Sequence, residues 1–213
     1  MRYVAVGRTS LTIVLLVCAG AAAGLVGVLD HLARSGPSGG IGFQQTVFDA
    51  TGIAYERAVG DIDGDGHNDI VATPNEMVGE LRLYRAPAFQ REVILNLVPG
   101  VHGYPYFRAD DLQLADIDRD GDLDVVTRIG DAGDVNGKVV WVENPRAGCM
   151  DISGAWTVHD IGPTEYIKDI VVADFDGDGR IDIAARESTL THVWFNDGPD
   201  TWVERTTPHP AHE

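Results

Sequence analysis

Positive charge is scarce in this chain: 16 lysines and arginines stand against 33 aspartates and glutamates, a formal net charge of -17 over 213 residues. Nucleic acids and anionic membrane surfaces attract patches of Lys and Arg, so this balance argues against both as partners. Cysteine is scarcer still, with Cys18 in an apolar leader and Cys149 beyond it. The folded part therefore has one thiol and no internal disulfide, and Cys149 reads as a small buried hydrophobe. No nucleophile elbow, zinc motif, phosphate loop or paired-carboxylate signature occurs, which removes the usual sequence grounds for assigning an enzyme. Glycine is plentiful, at 25 residues with 10 prolines, and 44% of the chain is hydrophobic. Many turns between short apolar segments predict an all-β protein with a real core. Its carboxylates are clustered rather than spread, which points to cation sites rather than a solvating surface.

The N-terminus has the export pattern: Arg2 and Arg8 precede an uncharged run from Thr9 to Leu29. Ala21 and Ala23 offer a small-residue cleavage site. The run is also long enough to span a bilayer at about 1.5 Å per residue. Cleaved signal peptide and uncleaved anchor both stay open, and Val17 fits poorly where a lipoprotein box before Cys18 wants a small residue. Every version places the remaining chain outside the cytoplasm, secreted or membrane-anchored. The expected division is 1–29 signal or anchor, 30–41 linker, 42–207 repeats and 208–213 tail.

Three segments align without gaps around Asp61-Ile-Asp63-Gly-Asp65-Gly66-His67-Asn-Asp69, Asp116-Ile-Asp118-Arg-Asp120-Gly121-Asp122-Leu-Asp124 and Asp174-Phe-Asp176-Gly-Asp178-Gly179-Arg180-Ile-Asp182. A repeat at this period signals stacked supersecondary units. Calcium is a hard cation that takes 6–8 oxygen ligands at about 2.3–2.6 Å. Aspartates at loop positions 1, 3 and 5 turn short side chains toward one point, and position 9 closes the cage. Glycine at position 6 permits the sharp turn. Position 7 contributes a backbone carbonyl, so His67, Asp122 and Arg180 can differ there. About three calcium ions per chain are expected. An EF-hand would need a bidentate Glu at position 12, where this chain has Ala72, Thr127 and Ala185.

The loop motif with β-forming flanks resembles the FG-GAP/VCBS-type repeat, the calcium-loop blade of integrin α-chain-like β-propellers. In that family the loop joins the first two strands of a four-stranded blade. The resemblance covers about residues 42–207 and implies three blades, a partial propeller. Blade one would use strands near 56–60, 70–73, 81–84 and 90–95. Blade two would use 111–115, 125–128, 138–142 and 156–160, and blade three 169–173, 183–185, 192–195 and 202–206. Phe43–Asp49 resembles a fourth strand left from a preceding blade. The Trp141-Val-Glu-Asn-Pro145 and Trp194-Phe-Asn-Asp197 patterns place tryptophans for packing between blades.

A propeller closes with roughly four to eight blades, so three leave open faces, which predicts self-association or a piece cut from a longer propeller, with completion by a partner as the other alternative. The resemblance implies a calcium-dependent extracellular binding or adhesion module for a protein or carbohydrate ligand. The stretch Val101–Asp110, with His102, Tyr104, Tyr106, Phe107 and Arg108, is its candidate ligand patch or else a loop tucked over the rim. The alternatives are a polysaccharide lyase-like enzyme fragment using His102, Tyr104, Arg108 and His159, or a non-catalytic remnant scaffold.

Overall fold

Among the described residues between Ala54 and Glu213, the regular structure consists of three antiparallel sheets, each opened by one of the repeated loops. The computed structural model describes residues 5–6, 12–13, 45–50, 55–74, 79–97, 106–107, 111–131, 136–145 and 152–209. A separate unit, Met1–Ile53, contains β1 (Ala5–Val6) and β2 (Thr12–Ile13), paired antiparallel. The rest of the expected signal or anchor, the linker and both cysteines lie outside the described residues. No helix among the described residues is long and apolar enough to cross a membrane.

The first sheet is a meander of β3 (Arg57–Gly60), β4 (Asp69–Ala72), β5 (Glu80–Arg85) and β6 (Gln90–Asn96). The second adds β7 (Tyr106–Phe107) to β8 (Gln113–Ala115), β9 (Asp124–Gly130), β10 (Gly137–Glu143) and β11 (Thr157–Thr164). Both β7 and β8 pair with β9, at its far and near ends respectively. The third is β12 (Asp169–Ala173), β13 (Asp182–Arg186), β14 (Leu190–Asn196) and β15 (Trp202–Pro208), in that order. The four-stranded blades expected from the repeat are therefore present, three in number. Among residues 45–50, where a leftover outer strand was expected, there is no strand. The addition of β7 was not anticipated.

Why β9 reads as the unbroken run Val125-Val-Thr-Arg-Ile129 follows from its place in the middle. Successive side chains point to opposite faces, and both faces of the second sheet are covered. Val125 and Ile129 enter one core with Ile62, Val71, Leu81, Leu83 and Trp156. Val126 enters another with Trp141, Ile170, Ile183 and Trp194. Each fully buried aliphatic side chain contributes about 1.5–3 kcal/mol, so these two layers are what hold consecutive sheets face to face. The tryptophans lie in these layers, as expected of packing residues.

Candidate metal centres

Sheet geometry fixes where each loop starts and stops. β3 ends at Gly60 and β4 begins at Asp69; β8 ends at Ala115 and β9 begins at Asp124; β12 ends at Ala173 and β13 begins at Asp182. Because paired strands lie about 4.8 Å apart, the loop must leave and re-enter the sheet within one strand spacing, so it curls. The curl passes through left-handed backbone at position 6, with φ of 87°, 96° and 86° at Gly66, Gly121 and Gly179. Nothing lies within 4 Å of a Cβ built on these three glycines; conformation, not crowding, demands glycine there. Position 4 is left-handed too, at Gly64, Arg119 and Gly177. Arg119, with φ 69°, keeps a side chain in a region that costs roughly 1–2 kcal/mol. The sequence signal for position 4 was a glycine in only two of the three copies.

Carboxylates hold the curl in the same way each time. Position 1 accepts the position 6 N–H, at 2.9, 3.2 and 2.9 Å in the three loops. Position 3 accepts the N–H of position 5, and position 5 that of position 7. Position 9 plays a different part. One oxygen of Asp69, Asp124 and Asp182 accepts the position 2 N–H of Ile62, Ile117 and Phe175. The other accepts the N–H of Ala86, Asn144 and Asn196, each at 2.9 Å, where the third strand ends. The last residue of the motif thus ties loop, second strand and third strand together.

One oxygen each from positions 1, 3 and 9 converges in every loop, all within 4.8 Å of one another: Asp61, Asp63, Asp69; Asp116, Asp118, Asp124; Asp174, Asp176, Asp182. Ligands on opposite sides of an ion with bonds near 2.4 Å lie at most about 5 Å apart, so the spacing suits a calcium-sized cation. Asp65, Asp120 and Asp178 stand outside these groups. Their oxygens face the N–H of His67, Asp122 and Arg180, and His67 Nδ1 also lies 3.1 Å from Asp65.

Burial and mutual repulsion mark the clusters, and Arg85 Nη1 approaches the first, 3.8 Å from Asp63. Oδ1 of Asp61 and of Asp116 is buried and accepts no hydrogen bond from the described residues, a costly arrangement unless a cation takes the lone pairs. Burial pushes the Asp124 carboxyl up to about 8, against the two backbone N–H groups that favour its ionised form. Burial likewise raises Asp69. It raises Asp118 too, with Asp120, Glu143 and Asp116 adding repulsion. The third loop is built more openly: Asp174 and Asp176 are exposed, and Asp174 Oδ1 already accepts the Gly177 N–H at 2.6 Å.

Two asparagines join the loops across sheets. Asn144 Nδ2 donates to the carbonyls of Ile62 at 3.0 Å and Leu123 at 3.2 Å, in the first and second loops. Asn196 Nδ2 donates to Ile117 at 3.1 Å and Ile181 at 3.3 Å, in the second and third. Combined with the position 9 bonds, these make one polar chain from Ala86 through all three loops to Phe175. Their spacing carries little signal, because Asn144 lies 20 residues beyond Asp124 but Asn196 only 14 beyond Asp182.

The other candidate residues fall elsewhere. Of the Val101–Asp110 stretch only Tyr106 and Phe107 are described; they form β7, and Phe107 is buried in the first core. His102, Tyr104 and Arg108 lie outside the described residues. His159 sits on the outer strand β11, stacked on Trp141 with ring centroids 4.2 Å apart. Its ring nitrogens face Glu143 at 2.8 Å and Asp200 at 2.9 Å.

A family model described as an FG-GAP-like repeat matches residues 61–127 and again 116–185. Each match begins on the first aspartate of a loop, and together they span more than half of the chain. No curated protein matches it.

Proposed function

The chain belongs to the FG-GAP-like repeat family, and from that premise we propose that it is a calcium-binding, β-propeller-type scaffold that works outside the cytoplasm as a binding or adhesion module. The observation that carries this reading is the threefold convergence of carboxylate oxygens within 4.8 Å, two of them with a buried oxygen that no donor among the described residues meets. The donor set is all oxygen, as a hard cation prefers. Asp61, Asp63 and Asp69, and their counterparts in the other loops, would hold the ions, which supply positive charge where the fold concentrates negative charge. The protein's own part is to present those oxygens at the strand ends and to carry the loops on a rigid sheet stack. Ligand-binding loops are best displayed on such a scaffold.

The placement outside the cytoplasm is supported by the Arg2 and Arg8 flank of the apolar N-terminal run. It is also supported by chemistry, since calcium modules of that environment work at about 10⁻⁴–10⁻³ M. Isothermal titration with CaCl2 tests the reading. About three ions per chain are expected, falling by one in Asp63→Ala, and each ion at a hundredfold excess over its Kd adds about 2.7 kcal/mol of stability. A chain that binds no calcium and melts at the same temperature in chelator would overturn it. Protease treatment of intact cells checks the location; full protection of residues 54–213 would count against export.

A further inference from the structure

At the end of the third sheet away from its loop, a buried histidine lies between two glutamates. Strand β13 runs from Asp182 to Arg186 and Glu187 follows it; β14 returns from Leu190 and carries His192 two residues on. Glu187 is 6% and His192 8% exposed. The imidazole is fixed in three ways. Its ring stacks on Trp194, with centroids 5.1 Å apart. Nδ1 lies 2.5 Å from Glu204 Oε1 on β15, and Nε2 lies 3.2 Å from Glu187 Oε1. That second approach is no hydrogen bond: Nε2 is buried and has no hydrogen-bond partner among the described residues. Glu187 Oε1 instead accepts the Glu165 N–H at 2.7 Å. His192, Glu187 and Glu165 line one cleft of about 320 Å³, together with Thr164 and Asn136.

We propose that His192 Nε2 and the Glu187 carboxylate are a ligand pair for a transition-metal dication of the zinc type, open to this cleft. A carboxylate can only accept, so Nδ1 carries the proton shared with Glu204 and Nε2 keeps its lone pair. Metal-ligating histidines are usually oriented in this way, by a carboxylate on the other ring nitrogen. A buried lone pair that meets no donor is costly. An imidazolium would add a proton at Nε2, but the nearby Glu187 oxygen lies out of line to accept it. Zinc bonds to nitrogen and oxygen are about 2.0–2.2 Å, so two tetrahedral ligands sit about 3.4 Å apart, close to the 3.2 Å found here. The mixed nitrogen and oxygen donors set this site apart from the loops, since imidazole suits zinc and carboxylates alone suit calcium. Glu204 is a positioning residue. Two protein ligands leave the other coordination positions to water or to a donor atom of a molecule in the cleft. The inference holds whether or not the loops take calcium.

The test titrates ZnCl2 into the full chain in saturating CaCl2, so that zinc competes poorly for the all-oxygen loops. One zinc ion per chain is expected, and His192→Ala and Glu187→Gln should each weaken it at least tenfold. Glu204→Gln keeps both ligands but loses the carboxylate that orients the ring, and should weaken binding by about 10–100-fold. Asp63→Ala should leave zinc affinity unchanged. In long-range proton–nitrogen NMR spectra of the imidazoles, zinc should shift the His192 Nε2 resonance, a signature that a merely structural histidine would not give. No zinc bound overturns the proposal, as does an unmoved His192 Nε2 resonance. Affinity unaltered in His192→Ala overturns it too, and assigns the ion to exposed histidines such as His67. Should His192→Ala not fold, Glu187→Gln decides, because its amide oxygen can still accept the Glu165 N–H; unaltered affinity there overturns the proposal.

Discussion

Replacing Asn144 by alanine removes a side chain that is buried between two loops and bonded to both. Its Nδ2 reaches Ile62 O at 3.0 Å and Leu123 O at 3.2 Å, while its backbone N–H to Asp124 survives the change. Each lost bond is worth about 0.5–1.5 kcal/mol net, and a buried carbonyl left without a donor costs about 1–3 kcal/mol. The sum comes to about 3 kcal/mol, which lowers Tm by roughly 6–12 °C for a unit of this size. Thermal and urea unfolding in saturating CaCl2 measure it, so that loop occupancy stays constant. Asn136→Ala is the control, because its Nδ2 bond to Asp131 at 3.1 Å is exposed and such changes stay within about 0.5 kcal/mol. Asn144→Asp sharpens the test: it keeps the shape but turns an oxygen toward two carbonyl oxygens, and should cost at least as much as alanine. If Asn144→Ala matches the control, or aspartate is the milder change, then the carboxamide does not join the sheets and the reasoning fails.

Three further outcomes follow from the same geometry. In chelator, Asp116→Asn should hold or raise Tm by relieving repulsion among oxygens within 4.8 Å, whereas in calcium it should lower Tm; the same sign in both media would refute the charge argument. The metal-free protein should lose stability between about pH 4 and pH 8, because folded Asp124 keeps its proton up to about 8 while the unfolded carboxyl releases it near its ordinary value, so the folded state binds more protons across that window. Urea titrations across pH in chelator read this slope, and a rise through the window would contradict it. Finally, Gly162→Ala would set a methyl 2.3 Å from Trp194 Nε1 in the second core, for a loss of about 1–3 kcal/mol in urea unfolding; a neutral result would mean that Trp194 can move.

Much of this protein is legible from local rules alone. Gly66, Gly121 and Gly179 announce a left-handed turn because few other residues sit there without strain, and the backbone has one at each. Apolar runs on either side of each loop announce strands, and the third sheet begins and ends close to where they do. Position 5 is harder. Asp65, Asp120 and Asp178 each accept the N–H two residues on with one oxygen, the same local bond that position 3 makes. The aromatic stretch around Tyr106 illustrates a different difficulty. An exposed loop and an extra strand have the same composition, and only the free edge of β9 decides between them.

The number of loops, their place between first and second strands, and the concentration of negative charge are all legible along the chain, because each depends on residues that are near neighbours in it. Tertiary structure alone decided that Asp69, Asp124 and Asp182 anchor the third strand as well as the loop. It also decided that Asn144 and Asn196 bind each sheet to the one before. These bonds join residues up to 82 positions apart, across an unequal number of intervening residues in each repeat. Such pairings leave no fixed spacing to read, because the sheets meet through space and not along the chain.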